Sequence, residues 1–393
     1  MDRRLVVLIA LGCALLPPSA VGATDDLTTD PRERGALLAL PAVYQLSTEV
    51  SVEALVTDDG RRIPVPPGAR RVGEVGTAFG VAPGGHVVAA THVAEPFGES
   101  LAVAVRIAQL AVAGRSHGEG VARAWVREQR ARAVGVTVVG RRLSQADAGG
   151  GRGESAHWTP RLVRAERDSD LALLRIPEPD APALALDESR TIGTPIATIG
   201  YGGTAAAESP LAPAVKPGEL GRSGTAESRP GRTLLEVTTG VEKGDSGGPA
   251  VDPDGNVHGV VVLRSDAGGI VEPAAAVRTL LAAEGLTPES TPATGAFTRG
   301  MSRFWALDFE EAARDLAVAE AAFPAHTLAS RERARAETLS VAAVELAPRR
   351  SRTRGFLLAF GTLAAAAALA CGLGLATLGW NGLVRRDHRR SSA

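Results

Sequence analysis

The hexapeptide at residues 244–249 (GDSGGP) constrains this chain most, because it lies between two segments typical of β-strands. Residues 234–237 and 257–263 are rich in the β-branched side chains that strands favour. The glycines around Ser246 allow a tight turn that brings two backbone N–H groups near the serine oxygen. An exposed hydroxyl beside such donors is what acyl transfer requires of a nucleophile. The same residue types also dominate ordinary surface turns, so the motif alone leaves a non-catalytic hairpin turn equally open.

The N-terminal end of the chain predicts export from the cytoplasm. Arg3 and Arg4 precede a short apolar run at 5–16, and small residues follow near Ala23. This is the pattern of a signal peptide, which we expect to cover residues 1–23. With 393 residues the chain has room for a domain of about 250 residues and a smaller one. The net charge of −1 gives no indication of a nucleic-acid partner.

A second apolar segment near the C-terminus predicts a membrane anchor. Residues 356–380 contain no charged side chain and are long enough for a tilted transmembrane helix, followed by a basic cytoplasmic tail at 381–393. The alternative is a buried core helix. Arginines flank both ends, so the predicted orientation, with the main domain outside, rests on the signal peptide. Cys13 and Cys371 both lie in apolar end segments, so the exported part has no cysteine for disulfides or metal ligation.

Two further stretches carry candidate partners for Ser246. Residues 75–93 have the pattern of a β-hairpin with a Pro-Gly-Gly turn, and they contain His86 and, at the end of the second strand, His92. Asp170 directly precedes the apolar strand pattern at 171–174, and Asp168 is a weaker candidate close by. Taken singly, such a histidine is usually structural and such an aspartate is usually a solvated turn residue.

Together these motifs resemble the chymotrypsin-like serine proteases, and in particular the HtrA-like (Deg-type) branch. The resemblance covers roughly residues 40–95 and 158–285, with histidine, aspartate and serine in the family's order. It implies a mainly β, chymotrypsin-like fold of two six-stranded β-barrels over 40–285. His92 and Asp170 would come from the first barrel and Ser246 from the second. Nothing in the sequence resembles the PDZ domain that often follows such a protease.

The resemblance also implies a role for each motif residue. His92 is the expected general base, Asp170 the residue that orients it, and Ser246 the nucleophile. The backbone N–H groups of Gly244 and Ser246 are expected to form the oxyanion hole. No metal and no cofactor is needed.

A substrate pocket is expected beside the serine, and its lining residues are predicted from the same resemblance. Gly240, Leu263 and Ile270 are the expected lining residues. Gly240 stands where trypsins carry an acidic residue, which argues against a preference for Lys or Arg and favours a small or aliphatic residue before the cleaved bond.

Asp245 departs from the HtrA-like pattern, in which asparagine is usual. Aspartate is typical of digestive trypsins, where it pairs with a newly cleaved N-terminus. The activation sequence of those enzymes is absent upstream of His92. An internal partner for Asp245 is the remaining alternative.

The remaining regions resemble the family least. Residues 95–157 predict an insertion with amphipathic helices at 101–110 and 121–133, and residues 204–232 correspond to loops. Residues 296–347 predict a small helical module, more typical of a stalk or packing element than of a binding module. The sequence as a whole predicts a membrane-anchored, extracytoplasmic serine endopeptidase acting on proteins or peptides. The alternative is a latent or inactive protease-derived scaffold whose helical module binds a protein partner.

Overall fold

A computed structural model describes residues 30–115, 118–146, 154–189, 191–202, 213–225, 231–265 and 268–341. The predicted signal peptide, the predicted transmembrane segment and the basic tail lie outside these ranges. Among the described residues, no helix is both long enough and apolar enough to cross a membrane.

The strands are numbered in chain order as β1 Val43–Val56, β2 Arg62–Pro64, β3 Arg71–Ala82, β4 His86–Ala90, β5 Arg132–Ala146, β6 Glu154–Trp158, β7 Arg161–Glu166, β8 Leu171–Arg175, β9 Pro195–Gly200, β10 Ala214–Gly224, β11 Leu234–Val237, β12 Pro249–Val251, β13 Val257–Ser265 and β14 Gly268–Pro273. The α-helices are α1 Pro31–Ala39, α2 Thr91–Ala94, α3 Gly98–Val112, α4 Glu119–Glu128, α5 Ala274–Ala282, α6 Pro292–Trp305 and α7 Phe309–Ala322.

The first half of the fold is an eight-stranded sheet with the order β6-β5-β1-β3-β4-β8-β7, and β2 pairs with β1. The expected closed six-stranded barrel is therefore wrong for this half, which is a half-barrel over the described strands. The physical reason is the long strand β5, which pairs with β1 from Val56↔Arg132 to Gln45↔Ser144. This pairing extends the sheet beyond β1 and adds β6 at its edge.

The region expected to be an insertion is helical only in its first part. Helices α3 and α4 correspond to the two expected helices, but the second ends at Glu128 and the chain then enters β5. The β-branched residues at 134–139 are a strand signal that the sequence analysis missed, although Val136 and Val139 are 39% and 46% accessible. Backbone pairing with β1 sets the register of the strand, and Leu143 near its end is fully buried.

The second half is a closed barrel with the order β10-β11-β14-β13-β12-β9. Strand β10 falls within residues 204–232, where the sequence predicted only loops, and it pairs with β9 from Ala214↔Gly200 to Glu219↔Pro195. Buried aliphatic side chains of β9, β11 and β13 fill this half, including Ile196, Leu235 and Val261. The molecule is thus mainly β, with a half-barrel and a closed barrel, as in the chymotrypsin-like fold.

Helices α6 and α7 pack against the half-barrel instead of standing apart from it. Phe323, at the end of α7, stacks on Trp158 of β6 with ring centroids 6.5 Å apart, and Trp158 meets Tyr44 edge-on at 5.6 Å. The N–H of Ala183 also donates to Thr294 Oγ1 of α6 at 3.0 Å. These helices belong to one compact unit with the two sheets. Residues 335–341, the described part of a second unit, are helical.

Candidate active site

His92 and Asp170 meet because their strands are antiparallel neighbours. Strands β4 and β8 pair up to Ala90↔Leu171, so the residues after β4 and before β8 lie at the same edge of the sheet. His92 follows β4 in the one-turn helix α2, and Asp170 ends the turn that leads into β8. The sheet topology alone therefore brings these two side chains together.

The carboxylate of Asp170 accepts two hydrogen bonds from His92. Oδ2 accepts from the ring Nδ1 at 2.7 Å, and Oδ1 accepts from the backbone N–H at 2.9 Å. The Asp170 side chain is only 4% accessible, whereas that of His92 is 28% accessible. With its proton on Nδ1, the imidazole presents Nε2 as a basic nitrogen at the partly exposed side.

Ser246 lies in a turn at residues 244–248, here named the Ser246 turn, which is fixed against the same edge. The Ser246 carbonyl accepts the N–H of Thr77 at 2.8 Å. Gly247 has a φ of 88°, and a Cβ there would lie 2.1 Å from Thr77 O and 2.7 Å from Ala90 N. Only glycine permits so close an approach to the last residue of β4, two positions before His92.

The hydroxyl of Ser246 is partly exposed and has no hydrogen-bonded partner among the residues that the structure describes. Contacts between a nucleophile and its base are often long until substrate binds. The side chain of Thr77 fixes the backbone of the turn. Its Oγ1 donates a hydrogen bond to Gly244 O at 2.7 Å and accepts one from the N–H of Tyr201 at 3.0 Å.

Two amides of the turn are available to bind an anion. The N–H groups of Asp245, Gly247 and Gly248 donate to nearby carbonyl oxygens at N···O distances of 2.7–3.1 Å. Those of Gly244 and Ser246 donate to no acceptor in the described part of the chain. Free donors on either side of a serine suit the oxygen that becomes negative during acyl transfer.

Asp245 is buried and has an internal cationic partner. Its side chain is 2% accessible, and Oδ2 lies 2.6 Å from the Nζ atom of Lys216. Oδ1 accepts the N–H of Gly202 at 2.9 Å, and Oδ2 also accepts the N–H of Glu242 at 2.8 Å. The open question of a partner for this aspartate is thereby answered, with a lysine that the sequence analysis did not identify.

The three expected pocket residues lie in two separate parts of the closed barrel. Leu263 and Ile270 face each other across the β13–β14 pair, and both are half-buried. Gly240 is exposed in the segment between β11 and the Ser246 turn, and a Cβ there would meet nothing within 4 Å. This segment runs along the start of β14, since a Cβ on Gly269 would lie 2.4 Å from Val241.

Glu74 is a further titratable group near this edge that the sequence analysis missed. It lies on β3 and is 8% accessible. Burial raises its pKa, and the nearby positive charge of Lys243 offsets this only in part. A signal was present in the sequence, because Glu74 alternates with Val72 and Gly76 on the inward face of the strand.

The two competing candidates lie elsewhere. His86 begins β4, at the opposite end from His92, and its Nδ1 lies 2.7 Å from the carbonyl oxygen of Pro83. Asp168 is exposed in the turn before β8. Neither side chain is part of the His92–Asp170 pair.

Among the described residues, one group of side chains has ligand atoms close enough to be tested as a metal site: Asp187, Asp252 and His258, all within 4.8 Å. His258 Nδ1 faces Ser189 O at 3.1 Å, and Nε2 faces Asp252 Oδ2 at 3.3 Å. Burial lowers the pKa of His258, but these acceptors outweigh it and the net shift is upward. Oxygen acceptors at both ring nitrogens favour the protonated imidazolium, which has no lone pair for a metal.

Comparison with known proteins identifies the domain. Residues 76–260 match the family model of the trypsin-like peptidase domain, just under half of the chain. No curated protein matches the sequence. The Rv3671c protease of M. tuberculosis in its active form is similar at 18% identity, with 69% of this chain and 88% of that chain covered and a TM-score of 0.40.

The HtrA-type protease AlgW with a decapeptide is similar at 17% identity, with 65% of this chain and 68% of that chain covered and a TM-score of 0.41. Both structural likenesses are distant, and the domain assignment rests on the family model. Residues 76–260 match a trypsin-like peptidase domain, which confirms the trypsin-like part of the resemblance found in the sequence.

Proposed function

We propose that this protein is a serine endopeptidase that cleaves peptide bonds through Ser246, His92 and Asp170. The observation that carries the proposal is the His92–Asp170 pair, bonded at 2.7 Å, at the edge of the sheet against which the Ser246 turn is fixed. The trypsin-like peptidase domain supports hydrolysis of peptide bonds as the reaction.

In the proposed mechanism, Ser246 Oγ attacks the carbonyl carbon of the scissile bond while His92 Nε2 accepts its proton. Asp170 keeps the other ring proton on Nδ1 and stabilises the imidazolium that forms. His92 then gives the proton to the leaving amine, and an acyl-enzyme remains on Ser246. Water activated by the same imidazole hydrolyses this ester.

The free amides of Gly244 and Ser246 are proposed to bind the oxyanion of each tetrahedral intermediate. Each such donor lowers the barrier by about 3–4 kcal/mol. The pocket bordered by Gly240, Leu263 and Ile270 is proposed to accept a small or aliphatic side chain, because Gly240 supplies no charge for Lys or Arg.

We further propose that the peptidase domain lies outside the cytoplasm, tethered by a single C-terminal span. Support comes from the sequence alone: the signal-peptide pattern at 1–23 and the uncharged segment at 356–380. Protease protection of intact cells, with a tag after residue 393, tests this topology. The proposal requires an inaccessible tag and an accessible peptidase domain.

A latent or scaffold function is the second candidate, and one observation favours it. The hydroxyl of Ser246 has no hydrogen-bonded partner in the described part of the chain. A resting form of this kind would react with substrate-like probes only after a partner closes the Ser246–His92 contact.

A fluorophosphonate probe distinguishes the two candidates, because it reacts only with an activated serine. The purified full-length protein is compared with Ser246→Ala and with Ser302→Ala, a control that removes an exposed helical hydroxyl. The endopeptidase proposal predicts labelling of the wild type and of Ser302→Ala but not of Ser246→Ala. No labelling of a folded wild type would favour the latent form.

A further inference from the structure

We propose that Lys216 is a positioning residue that holds the Ser246 turn in its reactive conformation by binding the buried carboxylate of Asp245. The protease would then be reactive without cleavage of the chain to create a new N-terminus. This inference rests on the proposed function, since it concerns how the same serine becomes reactive.

The carboxylate of Asp245 lies in a recess built for it. A Cβ on Gly200 or on Gly202 would lie 2.5 or 2.4 Å from Asp245 Oδ1, so side chains at these positions would displace the carboxylate. Two backbone N–H groups and the ammonium group of Lys216 bind its oxygens. A buried carboxylate in such a recess is costly without a cation, and removal of one partner of a buried pair is strongly destabilising.

Gly244 and Ser246, whose N–H groups are the proposed oxyanion donors, flank Asp245 in the chain. The Ser246 N–H belongs to the peptide group that joins Asp245 to Ser246, and the peptide group before Asp245 is held by the Thr77–Gly244 hydrogen bond. An Asp245 side chain fixed at three points therefore fixes the rotation of the peptide group that carries the Ser246 N–H. Release of the side chain allows this peptide group to turn away, and the donor is lost.

The position of Lys216 in the barrel places its ammonium group against Asp245. It lies on β10 opposite Thr198 of β9, while Gly202 follows the end of β9. The carboxylate thus connects both strands of this pair to the Ser246 turn. The side chain of Lys216 is only 20% accessible, and Asp245 is the closer of its two acidic neighbours. Glu242 Oε2 lies 3.5 Å from Lys216 Nζ, and the Glu242 side chain is 57% accessible. Solvent weakens the bond to Glu242.

Lysine is rare in this chain. Among 43 basic residues only two are lysines, Lys216 and Lys243, and the rest are arginines. Lysine carries its charge on one compact ammonium group, whereas the arginine guanidinium is a broad planar fork. At position 216 the compact ammonium group reaches Asp245 Oδ2 at 2.6 Å, while Gly200 and Gly202 closely enclose the carboxylate itself.

The experiment compares saturation kinetics of fluorophosphonate labelling for the full-length wild type, Lys216→Met and Arg222→Met. Arg222 lies on the same strand and pairs with Glu236 at an exposed position, so its replacement is the matched control. Because loss of an oxyanion donor slows catalysis about 100- to 1,000-fold, partial release of the turn predicts a fall of about 10- to 100-fold in the maximal labelling rate of Lys216→Met. The half-saturating probe concentration should change little.

A double variant, Lys216→Met with Asp245→Asn, protects the test against a folding defect. It removes the uncompensated carboxylate, and the amide oxygen still accepts one of the two backbone N–H groups, so it should recover part of the lost rate. A Lys216→Met protein that melts like the wild type and labels at the wild-type rate would overturn the inference while the proposed function stands. A double variant that is folded and as slow as Lys216→Met would also overturn it. If the folded wild type itself fails to label, the proposed function and this inference fall together.

Discussion

The substitution Asp170→Asn tests the orienting role of this carboxylate with the least change in shape. The two oxygens of Asp170 accept from the backbone N–H and from Nδ1 of His92, at 2.9 and 2.7 Å. An asparagine can accept at only one of these positions. If its oxygen keeps the backbone bond, its amide N–H₂ faces Nδ1 and donates to it, so the ring proton moves to Nε2. That nitrogen can then no longer accept the proton of Ser246.

The expected loss is about 10,000-fold in the rate of reaction at Ser246, the effect of the wrong histidine tautomer in a triad of this kind. This corresponds to about 5.5 kcal/mol of transition-state stabilisation, at 1.36 kcal/mol for each factor of ten. Asparagine is preferred to alanine because residue 170 has a φ of 57°. Asparagine tolerates this left-handed conformation, whereas most other residues lose about 1–2 kcal/mol there.

The assay is the second-order rate of fluorophosphonate labelling, with melting temperature as the measure of folding. Asp168→Asn is the matched control, because Asp168 is an exposed aspartate in the same turn and should label like the wild type. A folded Asp170→Asn protein that retains more than about a tenth of the wild-type rate would refute the assigned role. An equal loss in Asp168→Asn would show that the turn, and not the carboxylate, is required.

Two further predictions concern stability and pH. Burial raises the pKa of Glu74, so this group favours the fold when protonated and opposes it as the pH rises above its ordinary value of 4.5. Glu74→Gln should therefore melt above the wild type at pH 8 and level with it at pH 4; a lower melting temperature at pH 8 would contradict this. The raised pKa of His258 means that its contribution is fully present below pH 6.5 and is lost as the pH rises through the folded-state value. The melting-temperature deficit of His258→Gln should be largest near pH 6 and shrink toward pH 9, and a deficit that grows with pH would exclude a charged His258.

Local features of the fold were predictable because local chemistry determines them. The β3–β4 hairpin follows from alternating apolar residues around a turn in which Gly84 and Gly85 adopt φ values of 85° and 77°. Strand β5 carries a β-branched pattern at 134–139, but its pairing with β1 could not be predicted, because it joins segments far apart in the sequence. The half-barrel that results differs from the expected closed barrel for the same reason.

The chain positions of the candidate site were predictable, but its full set of interactions was not. Short motifs favoured His92 over His86 and Asp170 over Asp168, and the structure brings His92 and Asp170 together beside the Ser246 turn. The second hydrogen bond, from the His92 backbone N–H to Asp170 Oδ1, could not be predicted, because it depends on the left-handed conformation of Asp170 at the end of its turn. An aspartate tolerates this conformation better than most residues, but its residue type alone does not show that position 170 adopts it.

For the pairing of Lys216 with Asp245, the sequence predicts one partner and not the other. A charged residue between Gly244 and Ser246 in a buried turn requires a compensating cation, and the charge is visible in the hexapeptide itself. The source of the cation is not visible, because Lys216 is 29 residues away on a strand read as a loop. Once β10 is placed beside β9, the ammonium group and the Gly202 N–H bind the carboxylate at 2.6 and 2.9 Å, from the two strands of that pair. Movement of either strand at this end would therefore reach the Ser246 turn directly, through the Asp245 side chain.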